Sequence, residues 1–180
     1  MSIVESTTHA TQSHSNASHG AALYAAWQQL KQQQPKLRVR NAAEELGVSE
    51  AELIASRLGI DTTRLQPQWK TLLPQLEILG KIMALTRNED CVHERKGVYR
   101  ETSIMPNEKM GLVVSADMDL RLFLSGWSSV FAIAETTEHG MQRSIQIFDN
   151  QGVAVHKVFL TDDSDVVAWE QLVHAFAAPE

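Results

Sequence analysis

A short stretch of the chain, residues 86–94, concentrates side chains that can take part in chemistry. Its nine residues include an arginine, three carboxylates, an amide, a thiol and a histidine. An apolar run at residues 82–85 precedes it, and a glycine followed by β-forming residues comes soon after it, so it is predicted to be a polar loop between two strands. Such loops often carry ligand-handling residues. The alternative is a solvated hairpin tip, which composition alone favours.

His93 has the chemistry of a metal ligand, because neutral imidazole binds metals at pH 7. No second histidine or cysteine stands at zinc-binding spacing around it, which argues against a tetrahedral zinc site. A haem iron needs only one or two protein ligands, since the porphyrin supplies four. His156 is equally well explained as a hydrogen-bonded core histidine. Cys91 is the only cysteine, so an intrachain disulfide is excluded, and it fits a small half-buried residue better than a nucleophile.

A second group of candidate residues lies in the run Asp-Leu-Arg-Leu-Phe-Leu at residues 119–124. Strand alternation places its three leucines on one face and Asp119, Arg121 and Phe123 on the other. If the leucines face the core, Arg121 and Phe123 project together from the opposite face. A guanidinium beside an aromatic ring suits a flat, anionic aromatic ligand. The alternative is a surface salt bridge between Arg121 and a cross-strand acid.

The composition indicates the class of protein to which these candidate residues belong. The chain has 180 residues, of which 43% are hydrophobic and 21% charged, as in ordinary globular proteins. Its net charge of −6 argues against a protein whose main work is to bind nucleic acid phosphates. No apolar run is long enough to cross a membrane and no secretory signal is recognisable, so a cytoplasmic location is expected.

The N-terminal part is predicted to be a tail followed by a helix. Residues 1–20 are rich in serine, threonine, asparagine and histidine and are expected to be disordered. His9, His14 and His19 recur every five residues, with metal binding as the less favoured explanation. A helix is predicted to begin near Ala21, because apolar residues then recur with helical spacing up to the approach of a proline. Residues 21–180 are predicted to form one domain.

Two short helices follow and resemble a DNA-binding helix-turn-helix at residues 41–57. Asn41 is predicted to cap the first helix and Gly47 to end it, while Ser49 and Glu52 form a capping box for the second. This segment supports an alternative function, a non-enzymatic interaction or DNA-binding regulatory module. However, Glu50 and Glu52 open the second helix where phosphates would approach, so nucleic acid is not an expected partner.

The rest of the chain changes from helical to strand periodicity. Pro67 is predicted to open a third helix, with a break near Pro74. A last helix is predicted over residues 164–176, with Ser164 at its N-terminal cap. The fold class is therefore α+β, with N-terminal helices packed on a meandering antiparallel sheet and a C-terminal helix closing it. The predicted strands are residues 82–86, 97–101, 110–115, 120–124, 129–136, 142–148 and 153–161.

Several runs of this chain occur together, in this order and spacing, in one known family. On these motifs the chain resembles the HemS-type cytoplasmic haem proteins of bacterial haem uptake, also called hemin-degrading factors, over about residues 21–177. Members of that family usually consist of two similar halves that each pair helices with an antiparallel sheet, and this chain resembles the first half. The matching runs are residues 35–43, 46–53, 86–89, 92–94, 119–124 and 144–149.

The resemblance implies a haem site. In the family, haem is held mainly by a histidine of the second half that faces an arginine of the first half. Arg121 matches that arginine and Phe123 matches its neighbour, so both are expected to bind haem, whereas the second-half histidine has no counterpart here. His93 matches a first-half histidine implicated as a ligand in some relatives. It is therefore the candidate ligand of the haem iron.

The resemblance also implies a function and partners. The expected function is cytoplasmic haem binding for haem trafficking and iron acquisition, and the family adds oxidative haem degradation with iron release as a further activity. The expected partners are haem and either a haem oxygenase or a haem importer, with no membrane. Because a lone half would leave an apolar, aromatic sheet face open, the chain is expected to form a homodimer with haem across the interface.

Overall fold

The computed structural model describes residues 7–88 and 90–179, with side chains in the first helix from His19 onward. The chain divides into two compact units, one up to Leu58 and one from Gly59. No described helix is both long enough and apolar enough to cross a membrane. The proposed division into a tail and a single domain stays a prediction. The helices of the first unit are α1 (Thr7–Gln33), α2 (Val39–Glu45) and α3 (Glu50–Ala55).

Helix α1 begins at Thr7, earlier than the predicted start near Ala21. Residues 7–20 therefore belong to a helix, although the sequence placed them in a disordered tail, and residues 1–6 lie outside the described part. No proline interrupts residues 7–20, so helical hydrogen bonds can extend outwards from the packed part of α1. The predictions made for the His9 and His14 side chains also lie outside the described residues.

Packing in the first unit is centred on Trp27, which is buried. The Arg57 guanidinium lies over its ring at 5.1 Å, and the Lys31 ammonium lies over it at 5.4 Å. Cations over an indole face are attracted by the ring quadrupole. Trp27 therefore ties α1 to the segment that follows α3.

The capping predictions in the first unit gave two confirmations and one correction. Gly47 follows the C-cap residue of α2 with a φ of 68°, which confirms that it ends the helix. The Ser49 hydroxyl accepts a hydrogen bond from the Glu52 amide, and the Glu52 carboxylate accepts one from the Ser49 amide at 2.8 Å, which confirms the capping box. The prediction for Asn41 was wrong. Helix α2 already begins at Val39, with Arg38 at the N-cap position, so Asn41 lies inside the helix.

The second unit is built from antiparallel strands with helices α4 (Trp69–Gln75) and α5 (Val166–Phe176) and two short 3-10 helices (Leu76–Leu79 and Leu124–Gly126). Its strands are β1 (Thr62–Leu65), β2 (Gly80–Arg87), β3 (Val92–Val98), β4 (Ser103–Ile104), β5 (Met110–Val114), β6 (Asp119–Phe123), β7 (Trp127–Thr137), β8 (Gly140–Asp149) and β9 (Ala154–Ser164). They form a six-stranded sheet in the order β1-β7-β8-β9-β2-β3 and a three-stranded sheet in the order β4-β5-β6.

One cluster of buried apolar side chains joins the two sheets with α4 and α5. The predicted leucine face of β6 is part of it, since Leu120 and Leu122 are both buried. The three-stranded sheet thus contributes one face to the core and leaves the other outside. Other members of the cluster are Leu72, Leu76, Ile82, Val113, Ile145, Val158 and Trp169.

The α+β class is confirmed, and several details differ from the predictions. Strands β1 and β4 were not predicted, and Pro67 does not open the third helix, because α4 begins at Trp69 with Gln68 at its N-cap position. The strands form two sheets instead of one. Strand β3 begins at Val92, so His93 lies on a strand and not in the polar loop. Helix α5 is capped by Asp165, whose carboxylate accepts from the Ala168 amide at 2.9 Å, because the helix begins one residue later than Ser164 would require.

Candidate functional site

Strand β6 presents three exposed residues from the face opposite the core. Asp119, Arg121 and Phe123 alternate with the buried Leu120 and Leu122, which confirms the predicted alternation. Phe123 is 71% exposed, more than any other large apolar side chain among the exposed ones of the described residues. The outer face of the small sheet is therefore open at β6, with a guanidinium and an aromatic ring next to each other.

Strand β5 makes the surroundings of Arg121 apolar. In the antiparallel register Leu112 lies opposite Arg121, Met110 opposite Phe123, and Val114 opposite Asp119. These pairs share the outer face, and Val114 is 46% exposed. The cross-strand neighbour of Arg121 is thus a leucine and not an acid. Within residues 7–88 and 90–179, no hydrogen bond or ion pair engages its guanidinium, so the salt bridge weighed as the alternative is not found there.

His93 lies on β3, the strand at one end of the six-stranded sheet. Its side chain is exposed and shares a strand face with Arg95 and Gly97. Together with Arg95 and residues 115–119 it lines a cleft of about 260 Å³. His93 and Asp119 therefore line the same cleft. Asp119 is the first residue of β6, the strand that carries Arg121.

The turn between β5 and β6 is held against β3. The Arg95 guanidinium donates to the Asp117 carbonyl, and the Met118 amide donates to the Ser115 hydroxyl at 3.1 Å. Gly97 allows the close approach, since a Cβ at that position would lie 2.8 Å from the Asp117 Cβ. These contacts fix the small sheet against the edge of the large one and set the width of the cleft.

The structure brings the sequence-predicted residues together only in part. Arg121 does not line the cleft; it lies two positions from Asp119 along β6, about 7 Å away at the ordinary rise of a strand. Phe123 lies two positions further. The site is therefore an elongated surface with the His93 imidazole at one end, Arg121 in the middle and the Phe123 ring at the other end. The roles of these three residues as haem contacts remain predictions.

A buried polar cluster lies inside the core. His156 is fully buried, with Nδ1 3.1 Å from the Thr86 hydroxyl and Nε2 3.3 Å from the Tyr99 hydroxyl. The Trp127 ring stacks on it at 5.8 Å, and Trp69 meets Trp127 edge-on at 5.4 Å. Of the two explanations given for His156, the hydrogen-bonded core histidine is therefore confirmed.

Burial sets the protonation of this cluster. Because a buried charge is poorly solvated, the pKa of His156 is lowered to about 4, and the pKa of the Tyr99 phenol is raised. Both side chains are neutral at pH 7. The sequence did not predict the hydrogen bond between Thr86 and His156, because the two residues are 70 positions apart. Strand periodicity is the one signal that could have placed both side chains on inward faces of the sheet.

Cys91 was expected to be half-buried, but it is exposed. It lies just before β3, and its amide donates to the Asn88 side-chain oxygen at 2.8 Å. This local hydrogen bonding keeps the thiol at the tip of the hairpin, away from the core. No cluster of three or more potential metal-binding side chains occurs in the described part of the chain.

The model of the haemin-degrading HemS.ChuX domain family matches residues 47–176, a range that contains His93, Arg121 and Phe123. Hemin transport protein HmuS of Yersinia pestis is 44% identical over 161 residues, which are 89% of this chain and 46% of that protein. The chain thus spans about half the length of this curated relative.

Two solved structures are similar over the same share of the chain. Holo-PhuS, a heme-binding protein from Pseudomonas aeruginosa, has a TM-score of 0.87 and 64% sequence identity, with 89% of this chain and 46% of PhuS covered. The Escherichia coli O157:H7 heme degrading enzyme ChuS has a TM-score of 0.82 and 38% identity, with 89% of this chain and 48% of ChuS covered.

Proposed function

This chain belongs to the family of haemin-degrading HemS.ChuX domains, as its sequence motifs predicted, and we propose that it binds haem in the cytoplasm for haem trafficking and iron acquisition. The observation that carries the proposal is the exposed Arg121 on an apolar sheet face, with the His93 imidazole in the adjoining cleft. The relatives named as heme-binding, hemin transport and heme degrading proteins support it.

The outer face of the small sheet matches the chemistry of a porphyrin. Haem is flat and apolar across its ring and carries two carboxylates at one edge. Leu112, Met110 and Phe123 surround Arg121 with apolar and aromatic surface, and the guanidinium is a planar donor that suits a carboxylate. We propose that Arg121 contacts a haem propionate or the polar side of the bound ring, and that Phe123 packs against the face of the porphyrin.

The donor set beside this face suits haem better than a bare metal ion. His93 supplies one imidazole, and the porphyrin supplies the other four nitrogen ligands. A bare divalent cation would need several protein ligands, and the described residues offer no such cluster. His93 is therefore the proposed axial ligand.

Haem is cargo or substrate in this proposal. Oxidative breakdown, where it occurs, would use the iron and the ring of the bound haem as its chemical centre. This chain would supply the imidazole ligand, an apolar surface and the Arg121 donor. Because the cleft and the sheet face are open, haem could pass directly to a haem oxygenase or arrive from a haem importer, and these are the proposed partners.

A second copy of the chain is the proposed cover for the open face. The chain spans about half of its longer relatives, and its outer sheet face leaves Phe123 and Val114 exposed. A two-fold dimer would bury that face, with His93 of one copy and Arg121 of the other within reach of one haem. Light scattering at micromolar concentration should show a dimer when haem is bound. A strict monomer that binds haem tightly would contradict this part of the proposal.

Titration with hemin followed by absorbance tests the central proposal. The protein should bind roughly one haem per chain or per dimer and shift the Soret band. Arg121→Ala should weaken binding about 10-fold, the lower end expected for one charge-assisted contact. His93→Ala should change the position of the Soret band as well, because it removes the iron ligand.

Two exposed residues of the same types serve as matched controls. Arg40→Ala in α2 and His174→Ala in α5 remove the same charge or ring far along the chain from the proposed site, and both should bind hemin like the original protein. A spectrum that equals the sum of free hemin and protein would refute the proposal. Equal losses in the site variants and the controls would instead show that binding is non-specific.

A further inference from the structure

Four ring side chains form one continuous line from the surface into the core of the second unit. Trp69 meets Trp127 edge-on with ring centroids 5.4 Å apart, and Trp127 stacks on His156 at 5.8 Å. The Tyr99 hydroxyl lies 3.3 Å from the Nε2 atom of His156. Both tryptophans are partly buried, whereas His156 and Tyr99 are fully buried. One end of the line is therefore open to reagents in solution, and the other end is enclosed.

The rings at the two ends are those that lose an electron most readily. Indoles and phenols are easily oxidised side chains, and an electron moves quickly between rings that are close together. A phenol that has lost an electron is a very strong acid, so its proton must leave with the electron. Because burial separates the Tyr99 phenol from bulk water, its oxidation requires a neutral base within hydrogen-bond distance. The imidazole of His156 stands where that base is needed.

The surroundings of His156 leave one ring nitrogen as an acceptor. Burial lowers the pKa of His156 to about 4, and a hydrogen bond to the Leu85 backbone opposes this shift. That hydrogen bond favours the charged ring, so a ring N–H donates to the Leu85 carbonyl. A neutral imidazole has one N–H, and its other nitrogen accepts. Leu85 precedes Thr86 on β2, and the Thr86 hydroxyl lies 3.1 Å from Nδ1, which favours the N–H at Nδ1 and the lone pair at Nε2, beside Tyr99.

We propose that Tyr99 and His156 form a redox-active pair that takes up an oxidising equivalent entering at Trp127. A one-electron oxidant removes an electron from the Trp127 indole, and an electron from Tyr99 then restores that indole. The phenol proton passes to Nε2 of His156, so a neutral tyrosyl radical is left beside an imidazolium. When a one-electron reductant such as a thiolate returns the electron, the proton goes back to Tyr99 and the pair is reset.

The pair lies close to the surface proposed for haem. Phe123 precedes Trp127 by four residues, and four residues of chain span at most about 14 Å. Haem that reacts with a peroxide is a source of one-electron oxidants, so this route would draw oxidising equivalents from the open face into the core. The inference goes beyond the proposed function, and the chemistry of the pair does not depend on haem.

Pulse radiolysis of the haem-free protein in azide solution tests the pair, since azide radicals oxidise accessible tryptophans and become azide ions. The absorbance of the indolyl radical should decay as that of the phenoxyl radical grows, at a first-order rate that is independent of protein concentration. The conversion should be slower in D₂O, because the phenol proton moves with the electron. Tyr99→Phe should lose the phenoxyl signal, whereas Tyr24→Phe, which alters the only other tyrosine, should keep it.

Two tryptophan variants test the point of entry. Trp127→Phe should lose most of the conversion, because it interrupts the line of rings between Trp69 and His156. Trp169→Phe is the matched control, since Trp169 is not part of this line, and it should convert like the original protein. Equal loss in both variants would overturn Trp127 as the entry point. Circular dichroism shows whether each variant is folded.

Absence of a phenoxyl signal in the original protein would overturn the inference, and this measurement needs no variant to fold. A signal that persists in Tyr99→Phe and disappears in Tyr24→Phe would overturn it as well. Equal rates in H₂O and D₂O would refute the role of His156 as the proton acceptor. Hemin is absent from this test, so its outcome is separate from that of the proposed function.

Discussion

Gly97 is where the turn at residues 115–118 comes closest to β3, and adding one methyl group there tests how the cleft is built. In Gly97→Ala the new Cβ would lie 2.8 Å from the Asp117 Cβ. Ordinary contacts between carbon atoms are about 3.5–4.0 Å, so the turn must retreat by about 1 Å. The backbone at Gly97 does not require glycine for its own conformation, because its φ is not in the left-handed region.

The cost of this change can be worked out from the contacts that the turn would lose. Forcing an extra methyl into a packed contact costs about 1–3 kcal/mol. Retreat of the turn also breaks the hydrogen bond from Arg95 to the Asp117 carbonyl, which adds about 0.5–1.5 kcal/mol. The free energy of unfolding should therefore fall by about 2–4 kcal/mol. Hemin affinity should fall as well, since the cleft between His93 and Asp119 widens.

Urea unfolding followed by circular dichroism measures the first effect, and hemin titration measures the second. Gly126→Ala is the matched control, because a Cβ at Gly126 meets nothing within 4 Å. It should leave both quantities unchanged. If Gly97→Ala were as stable as Gly126→Ala, the reasoning that β3 fixes the position of the turn would be refuted.

Two further predictions concern the core and the outer face. The pKa of His156 is lowered from 6.5 to about 4 by burial, so the unfolded chain binds a proton that the folded protein does not; the associated stability of about 3 kcal/mol is present above pH 6.5 and is lost as pH falls towards 4. Urea unfolding at several pH values between 4 and 6.5 checks this prediction. It would be contradicted if the free energy of unfolding of His156→Gln rose with pH as steeply as that of the original protein. Leu122→Ala should cost about 2–5 kcal/mol because Leu122 is buried in the core, whereas Phe123→Ala should change unfolding by less than about 0.5 kcal/mol and still weaken hemin binding. Equal destabilisation by both would show that Phe123 is a core residue.

The parts of the fold that the sequence predicted depend on local patterns. Alternation of Leu120 and Leu122 with Asp119, Arg121 and Phe123 gave the two faces of β6 correctly, because strand periodicity is a property of neighbouring residues. The capping box of Ser49 and Glu52 was equally local. The predicted start of α5 was wrong by only one residue, because Asp165, which caps the helix, directly follows the predicted cap Ser164.

The parts that the sequence did not predict depend on contacts between distant segments. The separation of the strands into two sheets is decided by which strands pair, and no local pattern contains that choice. The partnership of Thr86, Tyr99 and His156 joins three segments that only the folded sheets bring together. The cleft has the same origin, since it exists because the turn at residues 115–118 reaches β3.

Strand β3 shows why the candidate ligand was assigned to a loop. Its residues from His93 to Lys96 are polar or charged, so the strand lacks the β-branched and aromatic residues that indicate one. Charged residues are nonetheless common on the outermost strand of a sheet, where they discourage pairing with other chains. On this strand they leave every second side chain facing the cleft, and His93 is one of these. The polar residues of β3 are therefore the reason that the sequence did not predict this strand. They also allow an edge strand to present an imidazole to a ligand from a rigid backbone instead of a mobile loop.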